Sequence, residues 1–500
     1  MSHITLVLTG KDFEENQSYL DSYRGQIDLA ELRLDCLDTV KEGKAQDRDV
    51  LEAFVKNSPV PLILTVRRSC DGGFYEGDEA KRLKLYSDFI PLGFGYVDLE
   101  DDLEPSLVEE AEKTAREAGV RIIRSFHDFK GFPDNLAQRM KSNIKEDDIP
   151  KAAVTLNHSR EIVPFLEAAA ELKGQDKIIL AMGERGYFSR ILAERLGSFL
   201  SFTSPAQGVM GAPGHMDPTL LIERYRFRDL KADWPLYGVI GNPIIQSRSP
   251  ELHNNWLKQA GLPGVYIPFL LDDIEDLIPM DNILDFGGLS VTLPFKEKLI
   301  TVLDEPSLAV KKIGASNTYY KKNGRRLGEN TDAPGFLYPL LDSMGIDRRA
   351  SRPLEGKKCT VIGAGGASRA ILFALTNAGA EVLILNRTAE KAEKLAAEFS
   401  VQSGTLSSES IPLMEEFSDI IVQTTNAGMP PQEEQDPIDF YEFKGREFVY
   451  DIVYKPAVTV MMDRAAKAGC TVLGGWEMLR EQGMVQFELF TGEAVPKGKA

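Results

Sequence analysis

The stretch from Lys358 to Thr388 constrains the fold more than any other part of the chain. Lys358–Ile362 (KCTVI) is an apolar run that reads as a strand. It leads into Gly363-Ala-Gly365-Gly366-Ala367-Ser368. Beyond that, Arg369–Ala378 has helical composition and Glu381–Leu385 (EVLIL) reads as a second strand. In a strand, glycine turn, helix and strand in that order, the turn and the helix N-terminus face a pyrophosphate. Glycine serves where the chain turns tightly and where phosphate must approach the backbone. Ser368 stands where a third glycine is usual and is small enough to keep the helix close.

The end of the second strand selects the dinucleotide. An NAD site places Asp or Glu there to accept from the ribose 2′-hydroxyl. Here the residues are Asn386-Arg387-Thr388, with Lys391 one turn on. No carboxylate repels a 2′-phosphate and two cations are at hand to pair with it, so NADP is expected. The plainer alternative is that Arg387 and Lys391 only solvate a helix start.

The first half is organised differently. Short β-rich runs fall at Ile4–Leu8, Ile27–Leu34, Pro61–Val66, Gly95–Leu99, Val120–Ser125, Ala152–Leu156, Lys177–Met182 and Phe199–Thr203. Helical segments such as Ser106–Ala118 and Ile162–Lys173 lie between them. Eight alternations predict an α/β chain that opens with a (β/α)8 TIM barrel, with a doubly wound sheet as the alternative. The charged segment Tyr225–Leu236 ends in Trp-Pro before a new strand. The expected domains are therefore residues 1–230 and 234–500. The second has a substrate lobe over about 234–335 plus a C-terminal helix, and a Rossmann NADP lobe over about 350–475.

Composition narrows the partners. A formal net charge of −18 argues against nucleic acid or an anionic membrane surface. No run of 18 apolar residues and no basic-then-apolar leader is present, so a cytoplasmic protein is expected. Four scattered cysteines and five histidines show no metal-ligand spacing, so no metal is expected.

Further motifs precede the dinucleotide unit. Gly238-Val-Ile-Gly-Asn-Pro-Ile-Ile-Gln-Ser247-Arg-Ser249-Pro presents two hydroxyls before a helix. Ser290-Val-Thr292-Leu-Pro-Phe-Lys296, Ala315-Ser-Asn317-Thr and Glu329-Asn330-Thr-Asp332 follow. With GAGGAS and NRT, these resemble shikimate dehydrogenase from Leu236 to Gly492. The resemblance implies that Ser247 and Ser249 bind a substrate carboxylate. Ring hydroxyls would meet Thr292, Asn317, Asp332 and Gln482, and Lys296 and Asp332 would form the catalytic pair. Moving a hydride between alcohol and ketone needs a proton handled at the oxygen, which a lysine beside an aspartate supplies. Thr424 in VQTTNAG is expected near the nicotinamide, and Tyr454 in DIVY by the substrate. Gln246, Ser290 and Ala333 depart from the family pattern and leave shikimate against quinate open.

The first half carries Glu31, Arg33, Arg67, Asp71, His127, Lys151 and Arg190 near expected strand ends. Barrel residues at C-terminal strand ends converge on one mouth. A desolvated lysine beside a histidine suits imine formation and proton abstraction, although a surface lysine and a core histidine fit as well. ELRLD, SFHDF, IPKAAV and AMGERGYFSR resemble type I 3-dehydroquinate dehydratase from Ile4 to Tyr225. The resemblance implies a Schiff base on Lys151 and His127 as general base, then acid. Glu31 and Asp71 would orient His127 or assist proton traffic. Arg33, Arg67 and Arg190 would hold hydroxyls and carboxylate, and Met182 would pack on the ring. Asp71 replaces the family's Glu, and Gly211 and His215 replace its Ser and Gln. His215 still offers a hydrogen bond to substrate.

The two activities implied are consecutive: 3-dehydroquinate loses water to 3-dehydroshikimate, which NADPH reduces to shikimate. Two other readings stay open here. One is a quinate dehydrogenase beside a weak dehydratase. The other is a sensor of quinate-type metabolites without turnover.

Overall fold

The computed structural model describes every residue except 45, 143, 146, 207–215 and 497–500. His215 and Gly211 lie outside the described residues. Contacts divide the chain into two compact units, Met1–Asp285 and Phe286–Ala500. The join expected near Lys231–Trp234 thus falls inside the first unit.

The first unit opens with eight parallel strands: β1 His3–Leu8, β2 Leu29–Arg33, β3 Leu62–Thr65, β4 Tyr96–Glu100, β5 Arg121–Asp128, β6 Ile149–Thr155, β7 Ile178–Met182 and β8 Leu200–Thr203. Their order is β7-β6-β5-β4-β3-β2-β1-β8. The Phe199 N–H donates to the Lys177 carbonyl at 2.6 Å, so the entries of β7 and β8 meet and the barrel nearly closes. The largest departures from the expected strand ends, three residues each, fall on β5 and β6. β5 runs on through His127 to Asp128, and β6 begins before Lys151, not after it. Pairing with both neighbours holds Lys151 in the sheet, opposite Ser125 on one side and Ile178 on the other.

Alternation sorts each strand's side chains. Leu29, Ile63, Ile123, Ile149, Ile178 and Leu200 form one apolar layer inside the barrel. Two residues further along, β2, β3, β5 and β6 present Glu31, Thr65, Ser125 and Lys151, while β7 and β8 present the apolar Leu180 and Phe202. The barrel interior is thus apolar near its entry and, on β2, β3, β5 and β6, polar or charged toward the C-terminal strand ends. After the barrel come β9 (Leu236–Gly241) and β10 (Val265–Leu270), paired in parallel.

The second unit holds β11 (Phe286–Val291), β12 (Glu305–Pro306), β13 (Thr318–Lys322) and β14 (Arg325–Glu329). β13 pairs antiparallel with both β11 and β14. A six-stranded parallel sheet follows: β15 Lys358–Ile362, β16 Glu381–Asn386, β17 Gln402–Thr405, β18 Ile420–Gln423, β19 Phe448–Asp451 and β20 Thr471–Gly474. Its order, β17-β16-β15-β18-β19-β20, reverses direction at β15, where a doubly wound sheet opens a crevice for its ligand. The helices Asp332–Ser343 and Gly475–Thr491 lie against each other. A Cβ on Gly335 would stand 2.5 Å from the Gln482 Cβ, so only glycine lets these helices approach so closely.

Candidate active sites

In the barrel, Lys151 is buried and its Nζ lies 2.8 Å from Asp98 Oδ2 and 3.8 Å from Glu31 Oε1. It also sits 4.4 Å over the Phe202 ring. Arg67 bridges the same carboxylates, 2.9 Å from Asp98, 2.9 Å from Glu100 and 3.7 Å from Glu31. Ser125 donates to Asp98 at 2.5 Å and Thr65 to Glu31 at 3.0 Å. Burial pushes the Asp98 carboxyl up, but Arg67 and Lys151 outweigh it and hold the group far below the ordinary range. Burial, with Arg67 and Lys151 close by, drives His127 well below the usual imidazole range. His127 is therefore a neutral ring at pH 7, and its buried Nδ1 has no hydrogen-bond partner among the described residues.

The arginines divide by what they already hold. Arg33 is paired with Asp35 through Nε at 2.9 Å and Nη2 at 2.7 Å. Arg190, on the helix Tyr187–Ile191, is fully buried and donates from Nη1 to the Ala181 carbonyl at 2.9 Å. It has no carboxylate partner among the described residues, its Nε is unpaired, and burial brings it down to about 10. A buried guanidinium without an anion is costly, and it is the group that gains most from a bound carboxylate. Met182 is buried at the end of β7. Asp71 accepts from Arg68 at 2.6 Å, and Arg68 also reaches Asp102 at 2.7 Å. Neither Asp71 nor Glu31 meets His127 Nδ1.

Asp98, Glu100 and Ser125 were not among the residues expected from sequence. A signal was present in YVDLE: two acids spaced by two within an apolar strand share one face and have no reason to be buried except a partner.

In the second unit Lys296 Nζ stands 2.5 Å from Asp332 Oδ2. Asp332 opens the helix Asp332–Ser343, where the helix dipole favours a carboxylate. Asn317 Nδ2 donates to the other Asp332 oxygen at 2.9 Å and lies 3.4 Å from Gln482 Oε1. Its own Oδ1 accepts from the Thr331 N–H at 2.7 Å and from the Thr318 hydroxyl at 2.9 Å. Gln486 closes the network: it donates to the Asn317 carbonyl and Thr318 Oγ1, each at 3.0 Å, and accepts from Ser290 at 2.6 Å. Ser290 thus has a definite structural role, and Gln486 is a further residue that sequence reasoning missed. Thr292 follows β11 and is half-buried, and Tyr454 follows β19 and is half-buried. In the first unit, Ser249 opens the helix Ser249–Gln259 and its N–H donates to Ser247 Oγ at 3.3 Å.

The dinucleotide turn has the geometry its sequence requires. Gly363 has φ +107°, and a Cβ there would lie 2.6 Å from Thr424 Oγ1. A Cβ on Gly365 or Gly366 would meet nothing within 4 Å, which leaves the space before the helix Gly366–Asn377 open to a ligand. Ser368 Oγ accepts from the Gly365 N–H at 3.0 Å and lies 2.7 Å from Thr424 Oγ1, which donates to the Ile362 carbonyl. Ala367 is in the first turn of that helix. Asn386 ends β16 and donates to the Thr388 carbonyl at 2.9 Å, and Thr388 precedes the helix Ala389–Phe399. Arg387 and Lys391 are exposed, and no ion pair engages either among the described residues. These groups fit NADP: open backbone at a helix N-terminus for the pyrophosphate, and two unengaged cations for a 2′-phosphate.

Three family models match the chain. They are type I 3-dehydroquinase over residues 4–232, shikimate dehydrogenase substrate binding domain over 239–319, and shikimate/quinate 5-dehydrogenase over 346–452. The bifunctional 3-dehydroquinate dehydratase/shikimate dehydrogenase, chloroplastic, of Arabidopsis thaliana is 32% identical over 483 residues, 94% of this chain and 78% of that one. A shikimate dehydrogenase (NADP(+)) of Bacillus cereus is 38% identical over 53% of this chain and 95% of its own length. The crystal structure of shikimate dehydrogenase from Aquifex aeolicus has a TM-score of 0.49 and 36% identity, over 53% of this chain and 96% of that one. The chain therefore belongs to the bifunctional 3-dehydroquinate dehydratase/shikimate dehydrogenase family, with a type I dehydroquinase half followed by an NADP-dependent shikimate dehydrogenase half.

Proposed function

We propose that the residues gathered in the two halves carry out consecutive steps, dehydration of 3-dehydroquinate and reduction of the product to shikimate. The observation that carries this reading is a lysine–aspartate pair in each half, Lys151 with Asp98 at 2.8 Å and Lys296 with Asp332 at 2.5 Å. In the barrel, Lys151 attacks the substrate ketone and its proton passes to His127, which returns it to the carbinolamine hydroxyl; loss of that water leaves a Schiff base, and after the dehydration water hydrolyses it to free the product and the lysine. His127, neutral and close to Lys151, takes a proton from the adjacent carbon and returns one to the departing hydroxyl. Arg190 takes the substrate carboxylate, and Glu31, Arg33, Arg67 and Asp71 order the polar wall. Met182 packs on the ring.

In the second half, NADPH supplies the hydride when bound. Gly363, Gly365, Gly366, Ala367 and Ser368 would receive its pyrophosphate, Arg387 and Lys391 would pair with its 2′-phosphate, and Thr424 would serve the nicotinamide side. Lys296 donates the proton to the carbonyl oxygen, and Asp332, fixed by Asn317, orients the ammonium. Ser247 and Ser249 hold the carboxylate, while Thr292, Tyr454 and Gln482 contact the ring.

No helix among the described residues is long and apolar enough to cross a membrane. The four cysteines are free, which suits a reducing compartment such as the cytoplasm.

The test is NADPH consumption by the full chain given 3-dehydroquinate alone, with the product identified. Shikimate is expected. Quinate would mean that the second half reduces the starting ketone directly. No consumption, restored by 3-dehydroshikimate, would remove the assigned role of Lys151 and His127.

A further inference from the structure

Asp272 lies two residues beyond β10, within the stretch matched by the shikimate dehydrogenase substrate binding domain, yet its carboxylate is bound to the barrel. Arg185 grips it with two parallel bonds, Nε to Oδ2 at 2.9 Å and Nη2 to Oδ1 at 2.5 Å. The same Oδ2 accepts the Ser159 N–H at 2.8 Å, and the Asp272 N–H returns a bond to Ser159 Oγ at 2.8 Å. The fully buried Ser159 also donates to Asp276.

Ser159 and Arg185 belong to the loops that follow β6 and β7, at the C-terminal strand ends where the dehydratase residues gather. β6 carries Lys151. The loop after β7 runs on into the helix Tyr187–Ile191, which carries Arg190.

That second loop is tightly packed. A Cβ on Gly186 would stand 2.3 Å from the Ala181 carbonyl, so loop and strand are in close contact. Ser189 Oγ accepts from the Ala181 N–H at 3.0 Å and lies 3.3 Å from the Ala181 carbonyl oxygen. Phe188 stacks on Phe269 of β10 at 5.6 Å. Two residues of one short dehydrogenase segment, Phe269 and Asp272, therefore hold the loop and helix from outside. From the same helix, Arg190 reaches the barrel strand β7 at the Ala181 carbonyl, with no ion pair among the described residues.

We propose that Asp272 is a positioning residue for the dehydratase, supplied by the dehydrogenase half: it clamps the loops after β6 and β7 and so sets how Arg190 meets the substrate carboxylate. The proposal rests on the reading of Arg190 as the carboxylate clamp. It makes the dehydratase half dependent on a residue beyond its own family boundary. The covalent step on Lys151 needs no help from Asp272, so the effect belongs to substrate affinity.

The experiment uses the full chain with Asp272→Asn, Arg185→Met and the double variant. Dehydration of 3-dehydroquinate, oxidation of shikimate with NADP and borohydride trapping of the Schiff base are followed in each. Expected is a rise in KM for 3-dehydroquinate of about fivefold or more in each single variant, with kcat within about twofold and trapping at saturating substrate intact. The double variant should be no worse than the worse single one, because both remove the same bond. Asp272→Glu, which keeps the carboxylate, should recover part of the loss. Unchanged KM in both single variants would overturn the proposal. So would additive losses, or equal losses in dehydration and shikimate oxidation, the mark of a merely structural contact. Arg190→Lys is run alongside: if it leaves KM unchanged while trapping shows an intact Lys151, the clamp reading fails first and the proposal falls with it.

Discussion

Lys296 and Asp332 meet at 2.5 Å, and Asn317 holds the far oxygen of that carboxylate at 2.9 Å. One oxygen of Asp332 is thus fixed by a neutral amide and the other is left to orient the lysine. Asp332→Asn removes the charge but keeps the shape. It is expected to lower kcat for shikimate oxidation by about 10²- to 10⁴-fold, the usual worth of positioned proton transfer. Dehydration of 3-dehydroquinate, assayed on the same sample, should be unchanged.

Asp98 is the counter-charge for both Arg67 and Lys151. In Asp98→Asn, two buried cations share one fewer carboxylate, a change that typically costs ~3–5 kcal/mol. Reduced melting temperature and at least a tenfold loss of dehydratase kcat are expected, while Ser125→Ala, which removes one neutral donor to Asp98, should lose far less.

Arg190 is buried, and no carboxylate pairs with it among the described residues. Its replacement by methionine should raise the melting temperature while raising KM for 3-dehydroquinate, because a costly buried charge leaves together with its ligand-binding role. A stability loss comparable to that of Asp98→Asn would show that Arg190 is held by something other than the wait for a substrate.

Arg387 and Lys391 are exposed and unengaged by ion pairs among the described residues. Arg387→Ala with Lys391→Ala should raise KM for NADP by about ten- to a hundredfold, the loss of one or two charge-assisted bonds, and leave KM for NAD nearly unchanged. Equal losses for both cofactors would place the 2′-phosphate elsewhere.

His253 is buried against Tyr266, with ring centroids 4.2 Å apart, and burial brings its pKa down to about 3. The folded state holds this ring neutral, while an unfolded chain protonates it near 6.5. Between those values the unfolded state binds more protons, so stability falls as the pH drops, by at most about 1.4 kcal/mol per pH unit from this group. Denaturant midpoints of the natural protein and of His253→Phe at pH 7 and pH 5 check this. The variant should lose less on acidification.

The features legible in the chain order are local. Strand, glycine turn, helix and second strand lie within about thirty residues of one another, and the cations for NADP follow at once. The eight β-rich runs foretold the barrel because alternation with helices is a repeated short-range pattern. The apolar run that marks the sixth strand starts at Ala152 and leaves Lys151 before it, and Pro150, which lacks a backbone donor, adds no strand signal. Pairing with β5 and β7 overrides that preference. The barrel's charged centre was not legible. Asp98 meets Lys151 across 53 positions of sequence and Ser125 across 27. An acid in an apolar strand reveals its role only once closure brings the cations to it. Only the tertiary structure left Arg190 without an anion among the described residues and tied Arg185 to Asp272, 87 positions away, because charge pairing depends on distance in space and the chain order carries no record of it.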